Sequence, residues 1–338
     1  MRLTQILMII VRSPLRISLF GGGTDYPVYL KDNSSLLIGS AIDKYIVIAI
    51  HKNPLLASHR FKLVYSKTEL CDHIDEIEHP AIRAVLNYFK PDCSLEITSI
   101  ADLPARTGLG SSSAFSVGLI KGMAALQGKA VSPFEAAKIA HEIEIDVLQE
   151  NVGMQDQIFA AFGGANRILI SGRDEFEVEP LSTSSAHLKD IERSLLVFFL
   201  GDQRSADAVA KDQIERTRSG SNDERLSQMR AIAKEADRLL LSDHGKDFVG
   251  QLGQLLHRSW QLKRNLSASI SNTVVDNVYE TAMEHGAHGG KLLGAGKTGM
   301  MAFLAPEQNR DGIQQALGHL KHVPVKLNAD GATIIHRG

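Results

Sequence analysis

From Ala114 to Leu126 the sequence is apolar almost all the way round a helical wheel and contains no proline. A run of that length reads as a helix buried on every side, since a strand would be shorter. It needs a substantial core around it, and 338 residues supply one, as one large domain or two moderate ones. Immediately before it stands Pro104-Ala105-Arg106-Thr107-Gly108-Leu109-Gly110-Ser111-Ser112-Ser113-Ala114. Closely spaced glycines let backbone amides turn toward one point, and three hydroxyls add donors and a metal ligand. The apolar helix behind the loop adds unpaired amides and a favourable dipole end. The segment therefore reads as a phosphate loop, against the plainer reading of a glycine/serine turn without function. It is not a Walker A loop, because no GKS or GKT closes it.

The charge balance narrows the partners. Lys and Arg total 37 against 39 acidic residues, a net charge of −2. Nothing there favours nucleic acid or an anionic membrane, while a local pair of basic residues still suffices for an anionic small molecule. Two cysteines without a CxxC pair fit a reducing, cytoplasmic setting. The apolar start at Leu7–Val11 is too short to span a membrane and lacks a signal-peptide cleavage pattern, so it reads as a first strand.

Strands are expected at Ile6–Val11 and Leu15–Phe20, separated by Ser13-Pro14, then over Leu36–Ile50, Phe61–Tyr65 and Leu95–Ser99, with a short helix at His79–Tyr88. Ser132-Pro133 with Glu135 makes a capping box and opens a helix running to about Gln149. Ile168–Ile170 and Leu195–Leu200 read as strands, with a polar patch at Ser182–Ser185 between them. A domain boundary falls near 185–193, dividing the chain into 1–188 and 189–338. The second half carries helical patterns at 205–218, 222–242 and 246–264. A glycine-rich turn follows at 286–299, then strand Met300–Leu304, a helix near 307–318 and a last strand at Lys326–Asn328.

The loop resembles the central Pro-x-x-x-Gly-Leu-Gly-Ser-Ser-x-Ala motif of the GHMP small-molecule kinases. Two further segments are similar to that family's other motifs: Pro14-Leu15-Arg16-Ile17-Ser18-Leu19-Phe20-Gly21-Gly22-Gly23-Thr24-Asp25-Tyr26 and Lys291-Leu292-Leu293-Gly294-Ala295-Gly296-Lys297-Thr298-Gly299. The resemblance implies an α+β two-domain fold, with a ribosomal S5 domain 2-like first part and a ferredoxin-like second part. It also implies ATP and Mg2+, a small sugar or sugar-phosphate acceptor, and a monomer or homodimer.

On the helix at 133–149, Ala137, Ala140, Val147 and Leu148 form one stripe with Glu144 within or beside it. Glu142 and Asp146 sit about 160° away. An acid facing inward is either salt-bridged or metal-bound. The resemblance makes Glu144 the magnesium carboxylate, with Ser112 or Ser113 as the second ligand, and Gly108–Ser113 as the cradle for the phosphates. It also makes Asp156, in Gly153-Met154-Gln155-Asp156-Gln157, the catalytic acid, with Arg16 beside it to hold it ionised and stabilise the moving phosphoryl. The plainer reading of Asp156 is a turn residue.

Asp25, with Thr24, Gly22 and Gly23, is the candidate for the acceptor, and the resemblance implies that the turn from Gly289-Gly290 to Gly299, with Gly294 and Gly296, closes against nucleotide and substrate. Galactokinases carry Glu-His where this chain has Gly22-Gly23, so galactose is disfavoured. The Gly-Gly-Gly-Thr-Asp form instead resembles the branch that phosphorylates D-glycero-D-manno-heptose 7-phosphate at the anomeric hydroxyl, and the related fucokinase domain. A 7-phosphate needs an anion site, for which Arg106, Arg12 and Lys44 are candidates. Lys297 would reach phosphate or be an ordinary exposed loop lysine, and Tyr26 and Tyr29 would line a sugar site or simply pack. An L-fucose or other sugar 1-kinase and a non-catalytic metabolite-binding protein on the same fold are the other readings.

Overall fold

The structure is a computed structural model that describes residues 8–52, 58–173, 175–181, 183, 185–201, 206–242 and 247–338. Twelve strands are seen among them: β1 (Met8–Phe20), β2 (Ser35–Lys52), β3 (Phe61–Val64), β4 (Thr68–Cys71), β5 (Leu95–Ala101), β6 (Ala165–Ile170), β7 (Phe176–Pro180), β8 (Leu195–Gly201), β9 (Gly289–Leu292), β10 (Gly299–Leu304), β11 (Lys321–His322) and β12 (Thr333–Arg337). The helices are α1 (Pro27–Leu30), α2 (Pro80–Phe89), α3 (Ser111–Leu126), α4 (Pro133–Glu142), α5 (Gln155–Phe162) and α6 (Ser185–Ser194) in the first half. Then come α7 (Ala206–Arg218), α8 (Asp223–Leu241), α9 (Phe248–Lys263), α10 (Thr273–Glu284) and α11 (Arg310–Ala316).

The first sheet runs β12-β1-β2-β5-β3-β4, with β6 and β7 continuing from β2. Its two long strands are rich in Ile, Leu and Val, which pack well on a pleated surface. β1 is one strand where two were expected. The register slips between Pro14 and Leu15, and that irregularity absorbs the missing proline N–H without ending the strand. β2 then serves two neighbours along one edge, with Ser35–Ser40 on β6 and Ile46–Lys52 on β5.

α3 lies on this sheet and is buried on nearly all sides, as its composition predicts. Its glycines set the approach. A β-carbon on Gly122 would sit 2.6 Å from Ile50 Cδ1, and one on Gly118 would sit 3.1 Å from Ile48 Cδ1. A side chain at Gly122 would force Ile50 and Val11 to repack under the helix.

The second sheet is antiparallel, in the order β11-β8-β10-β9, with α9 against it. Trp260, Phe198 and Phe303 fill this second core, and Tyr29 of α1 joins them, so that tyrosine packs. The first sheet draws on β1–β7 and the second on β8–β11, but β12 returns from beyond the second sheet to pair with β1 at Ile9–Arg12.

Three other expectations need revision. The helix from Ser132 has the predicted capping box but is α-helical only to Glu142, then makes a turn of π-helix over Ile143–Val147. α10 was not foreseen. Lys326–Asn328 is not a strand; Leu327 makes a single bridge to Ile42, and β11 and β12 flank it. Ile6, Leu7, Ser182, Ser184 and the first residues of the helices expected from 205 and 246 lie outside the described residues. Among the described residues no helix is long and apolar enough to cross a membrane.

Candidate active site

The upper half of β1 has no strand on its outer edge, and the glycine/serine loop docks there instead. The Arg16 amide donates to the Leu109 carbonyl at 3.0 Å. Leu109 itself is fully buried, so it serves the loop through its backbone. The Arg16 side chain, also buried, donates from Nη1 to the Gly108 carbonyl at 2.7 Å. Its Nε and Nη2 both meet Asp156 Oδ1, at 2.8 and 2.7 Å. The other oxygen, Oδ2, faces the loop: a β-carbon on Gly110 would lie 3.2 Å from it and 3.3 Å from Arg16 Cγ. Arg16, Asp156 and Gly110 therefore meet at one point, with the Asp156 side chain 25% exposed.

Gly110 (φ 76°) is the N-cap of α3 and offers no capping side chain, so the first amides of the helix stay available for an anion. Ser112 at this end is exposed, whereas Ser113 is buried. Ser113 Oγ donates to Glu144 Oε2 at 2.9 Å, and Gln157 Nε2 donates to the same oxygen. Glu144 is fully buried and its Oε1 has no hydrogen-bond partner. Burial, and next the charge of Glu150, push its carboxyl up to about 8.

The π-turn explains one misplaced residue. Leu148 N bonds to Ile143 O, five residues back, which rotates the last turn. Glu144 points inward and Glu142 and Asp146 outward, as the periodicity predicts, but Val147 leaves the buried stripe and is 62% exposed.

The acceptor candidates behave differently from one another. The Asp25 carboxylate, 1% exposed, accepts from Gly23 N at 3.0 Å and from Gln155 N at 3.4 Å. Burial raises its pKa, and the charge of Asp156 adds to this against the lowering effect of the Gly23 amide. Asp25 thus ties the glycine segment to the turn before α5. The Thr24 hydroxyl is buried and bonds Gly21 O at 2.8 Å and Ser35 Oγ. Gly22 sits over Ser18 and Gln155, and Gly23 beside Gln213 of α7.

In the closing turn, Gly294 and Gly108 touch. A β-carbon on Gly294 would be 2.5 Å from Gly108 Cα. Gly296 packs on the Ile270 backbone: a β-carbon there would lie 2.7 Å from Ile270 Cα. Lys297 is exposed. Arg12 lies over the Tyr45 ring at 4.4 Å and Lys44 bonds Asp43, so of the three anion candidates only Arg106 extends exposed from the loop.

Two buried lysines beneath the site were missed. Lys263 donates to Leu292 O and Gly294 O at 3.2 and 2.7 Å, and Lys291 donates to Leu19 O at 3.1 Å. Burial, and next the charge of Arg16, lower Lys263 to about 8. Burial and then Lys263 lower Lys291 further. Lysines at these positions look like ordinary surface residues in sequence. Only the carbonyls that the fold brings to them, of Leu292 and Gly294 for Lys263 and of Leu19 for Lys291, explain them.

The glycine loop at the start of α3, the buried Ser113–Glu144 pair and the Arg16–Asp156 pair thus lie around one helix N-terminus. The chain belongs to the GHMP kinases: the family model "GHMP kinases N terminal domain" matches residues 65–164 and "GHMP kinases C terminal" matches 245–321, together just over half of the chain. It is 29% identical over 321 residues to the D-glycero-alpha-D-manno-heptose 7-phosphate kinase of Campylobacter jejuni, covering 90% of this chain and 92% of that one. The fold matches a solved D-glycero-D-manno-heptose 1-phosphate kinase from Bacteriodes thetaiotaomicron, with TM-score 0.78 and 22% identity over 97% of this chain and 99% of the other. It also matches the Lactococcus lactis galactokinase complexed with galactose, with TM-score 0.75 and 17% identity over 96% and 95%. The chain is an ATP-dependent kinase of this family with the expected two-part α+β fold.

Proposed function

We propose that this kinase transfers the γ-phosphoryl of ATP to the anomeric hydroxyl of D-glycero-D-manno-heptose 7-phosphate, giving the 1,7-bisphosphate. The observation that carries the chemistry is the Arg16–Asp156 pair packed against Gly110. Likeness to the Campylobacter enzyme and the small Gly22-Gly23 segment support the acceptor.

The loop from Gly108 to Ser113 would receive the phosphates on its amides, and the dipole of α3 would favour their charge. The residues fit Mg2+: Glu144 Oε1 is a buried oxygen without a partner, and Ser113 supplies a hydroxyl next to it. One carboxylate and one hydroxyl, with phosphate and water, are the hard oxygen ligands that magnesium takes. When bound, the ion would neutralise charge on the phosphates. Ser112, exposed at the helix start, is the better placed of the two serines to meet a phosphate oxygen.

Asp156 Oδ2, the oxygen not held by Arg16, would accept the proton of the acceptor hydroxyl. The hydroxyl oxygen bonds to the γ-phosphorus as the bond to the β-phosphate oxygen breaks, and ADP leaves. Arg16 would meet the charge that develops on the transferring group while fixing Asp156 in place.

An unphosphorylated sugar 1-kinase is the second reading. It is favoured by the engagement of Arg12 with Tyr45 and of Lys44 with Asp43, which leaves Arg106 alone of the three candidates for a 7-phosphate. The deciding experiment measures ATP consumption with heptose 7-phosphate, L-fucose, galactose, mannose and mevalonate, and locates the new phosphate by NMR. Preference for heptose 7-phosphate with phosphorylation at C1 supports the first reading; preference for a free sugar overturns it in favour of the second.

A further inference from the structure

Lys263 ends α9 and Lys291 lies on β9, and both are buried. Both amines bond backbone carbonyls, but the carbonyls belong to different segments of the site. Lys263 Nζ donates to Leu292 O and Gly294 O, where the closing turn leaves β9. Lys291 Nζ donates to Leu19 O near the end of β1, in the other half of the chain.

The turn held by Lys263 is the one that touches the phosphate loop. A β-carbon on Gly108 would lie 2.4 Å from Leu293 O, and Met300 N donates to Thr107 O at 3.0 Å, so both ends of the turn meet the start of the loop. Gly294 lies within that contact, and its carbonyl makes the shorter of the two bonds to Lys263. The strand end held by Lys291 leads to the acceptor candidates instead. At Leu19 the register of β1 slips against β2: Ser18 pairs with Gly39, Phe20 with Ile38, and Leu19 falls between them. Lys291 takes up the carbonyl of that passed-over residue, and the segment Gly21–Asp25 begins two residues later.

Stability alone does not account for either lysine. A buried amine gives up its hydration, and these two also feel the positive charge of Arg16. Methionine, similar in length and apolar, would fill either place without that cost. Groups that work against stability gather where a functional site needs them.

We infer that Lys263 and Lys291 are positioning residues for the two substrates, Lys263 setting the phosphate loop for ATP through Gly294 and Lys291 setting the Gly21–Asp25 segment for the acceptor through Leu19. Each acts through the backbone it holds, and the two roles are separate because the segments are. The inference rests on the kinase reading and deepens it by naming the residue behind each substrate.

The test uses the full chain with Lys263→Met and Lys291→Met. Three quantities are measured: KM for ATP, KM for the best acceptor of the sugar panel, and the unfolding temperature of the ligand-free protein. Lys263→Met is expected to raise the ATP KM at least about tenfold and leave the acceptor KM within about twofold; Lys291→Met is expected to do the reverse. Unfolding temperatures should stay close to that of the wild type, since each lost hydrogen bond is offset by the removal of a buried amine. Where a methionine variant does not fold, glutamine at the same position keeps a donor and carries the same expectation. Failure of both to fold overturns the inference, because the lysine is then structural. Unchanged KM values, or the two rising together in each variant, also overturn it and leave the kinase reading intact. A wild-type chain that turns over no sugar or sugar phosphate of the panel overturns both.

Discussion

Ser113 donates to one oxygen of Glu144 at 2.9 Å, and the other oxygen of that buried carboxylate has no partner. A carboxylate held in this half-satisfied state is set up for a cation. Glu144→Gln should therefore raise the Mg2+ concentration needed for half-maximal ATP consumption at least about tenfold. An unchanged Mg2+ titration would remove Glu144 from the metal site.

The same carboxyl gives the metal-free protein a pH signature. Its pKa is raised from the ordinary 4.5 to about 8 by burial first and then by Glu150. Between those values the folded state holds a proton that the unfolded chain has released, so stability is full below 4.5 and falls as pH rises toward 8. Thermal unfolding in a chelator across this range should show the decline, and Glu144→Gln should flatten it. Parallel pH slopes for the two proteins would contradict the assignment.

Asp156→Ala should lower kcat by about 10²–10⁴, the usual range for a lost general base. Because its proposed role is in transfer to the acceptor, binding of a non-hydrolysable ATP analogue should change by no more than about threefold. Turnover equal to wild type would sink the assignment.

Gly294→Ala places a methyl 2.5 Å from Gly108 Cα at a φ of 76°. The closing turn must back away from the phosphate loop, so the ATP KM should rise about tenfold, with a stability loss of about 1–3 kcal/mol. Gly312→Ala is the control. It lies in α11 with nothing within 4 Å of the added carbon, and it should gain about 0.5–1 kcal/mol. Equal behaviour of the two variants would show that contact between the loops is irrelevant.

The elements that sequence reading recovered are those with a strong local cause. α3 follows from an unbroken apolar run, and α4 from the Ser132–Glu135 capping box. Arg16, Asp156, Ser113 and Glu144 were singled out in sequence, and the fold pairs Arg16 with Asp156 and Ser113 with Glu144. Nonlocal causes defeated it. Val147 was misplaced because one extra residue per turn at Ile143–Val147 is invisible to a fixed 100° period. The bond of Thr24 to Ser35 and the packing of Gly296 on Ile270 join residues that are not neighbours in sequence. Lys263 and Lys291 gained their places only when distant carbonyls came to meet them.

The pairing of β12 with β1 has a consequence for how the molecule is made. The sheet that carries the phosphate loop stays one strand short until the ribosome has translated the whole second sheet and passed Arg337. Until then the Ile9–Arg12 edge of β1 is an open hydrogen-bonding template on the nascent chain, with nothing to pair against. The half that holds the nucleotide loop is thus the first to begin folding and the last to be complete. Severing the chain at residue 188 would separate that sheet from its own edge strand, so the two halves of sequence are not two independent folding units.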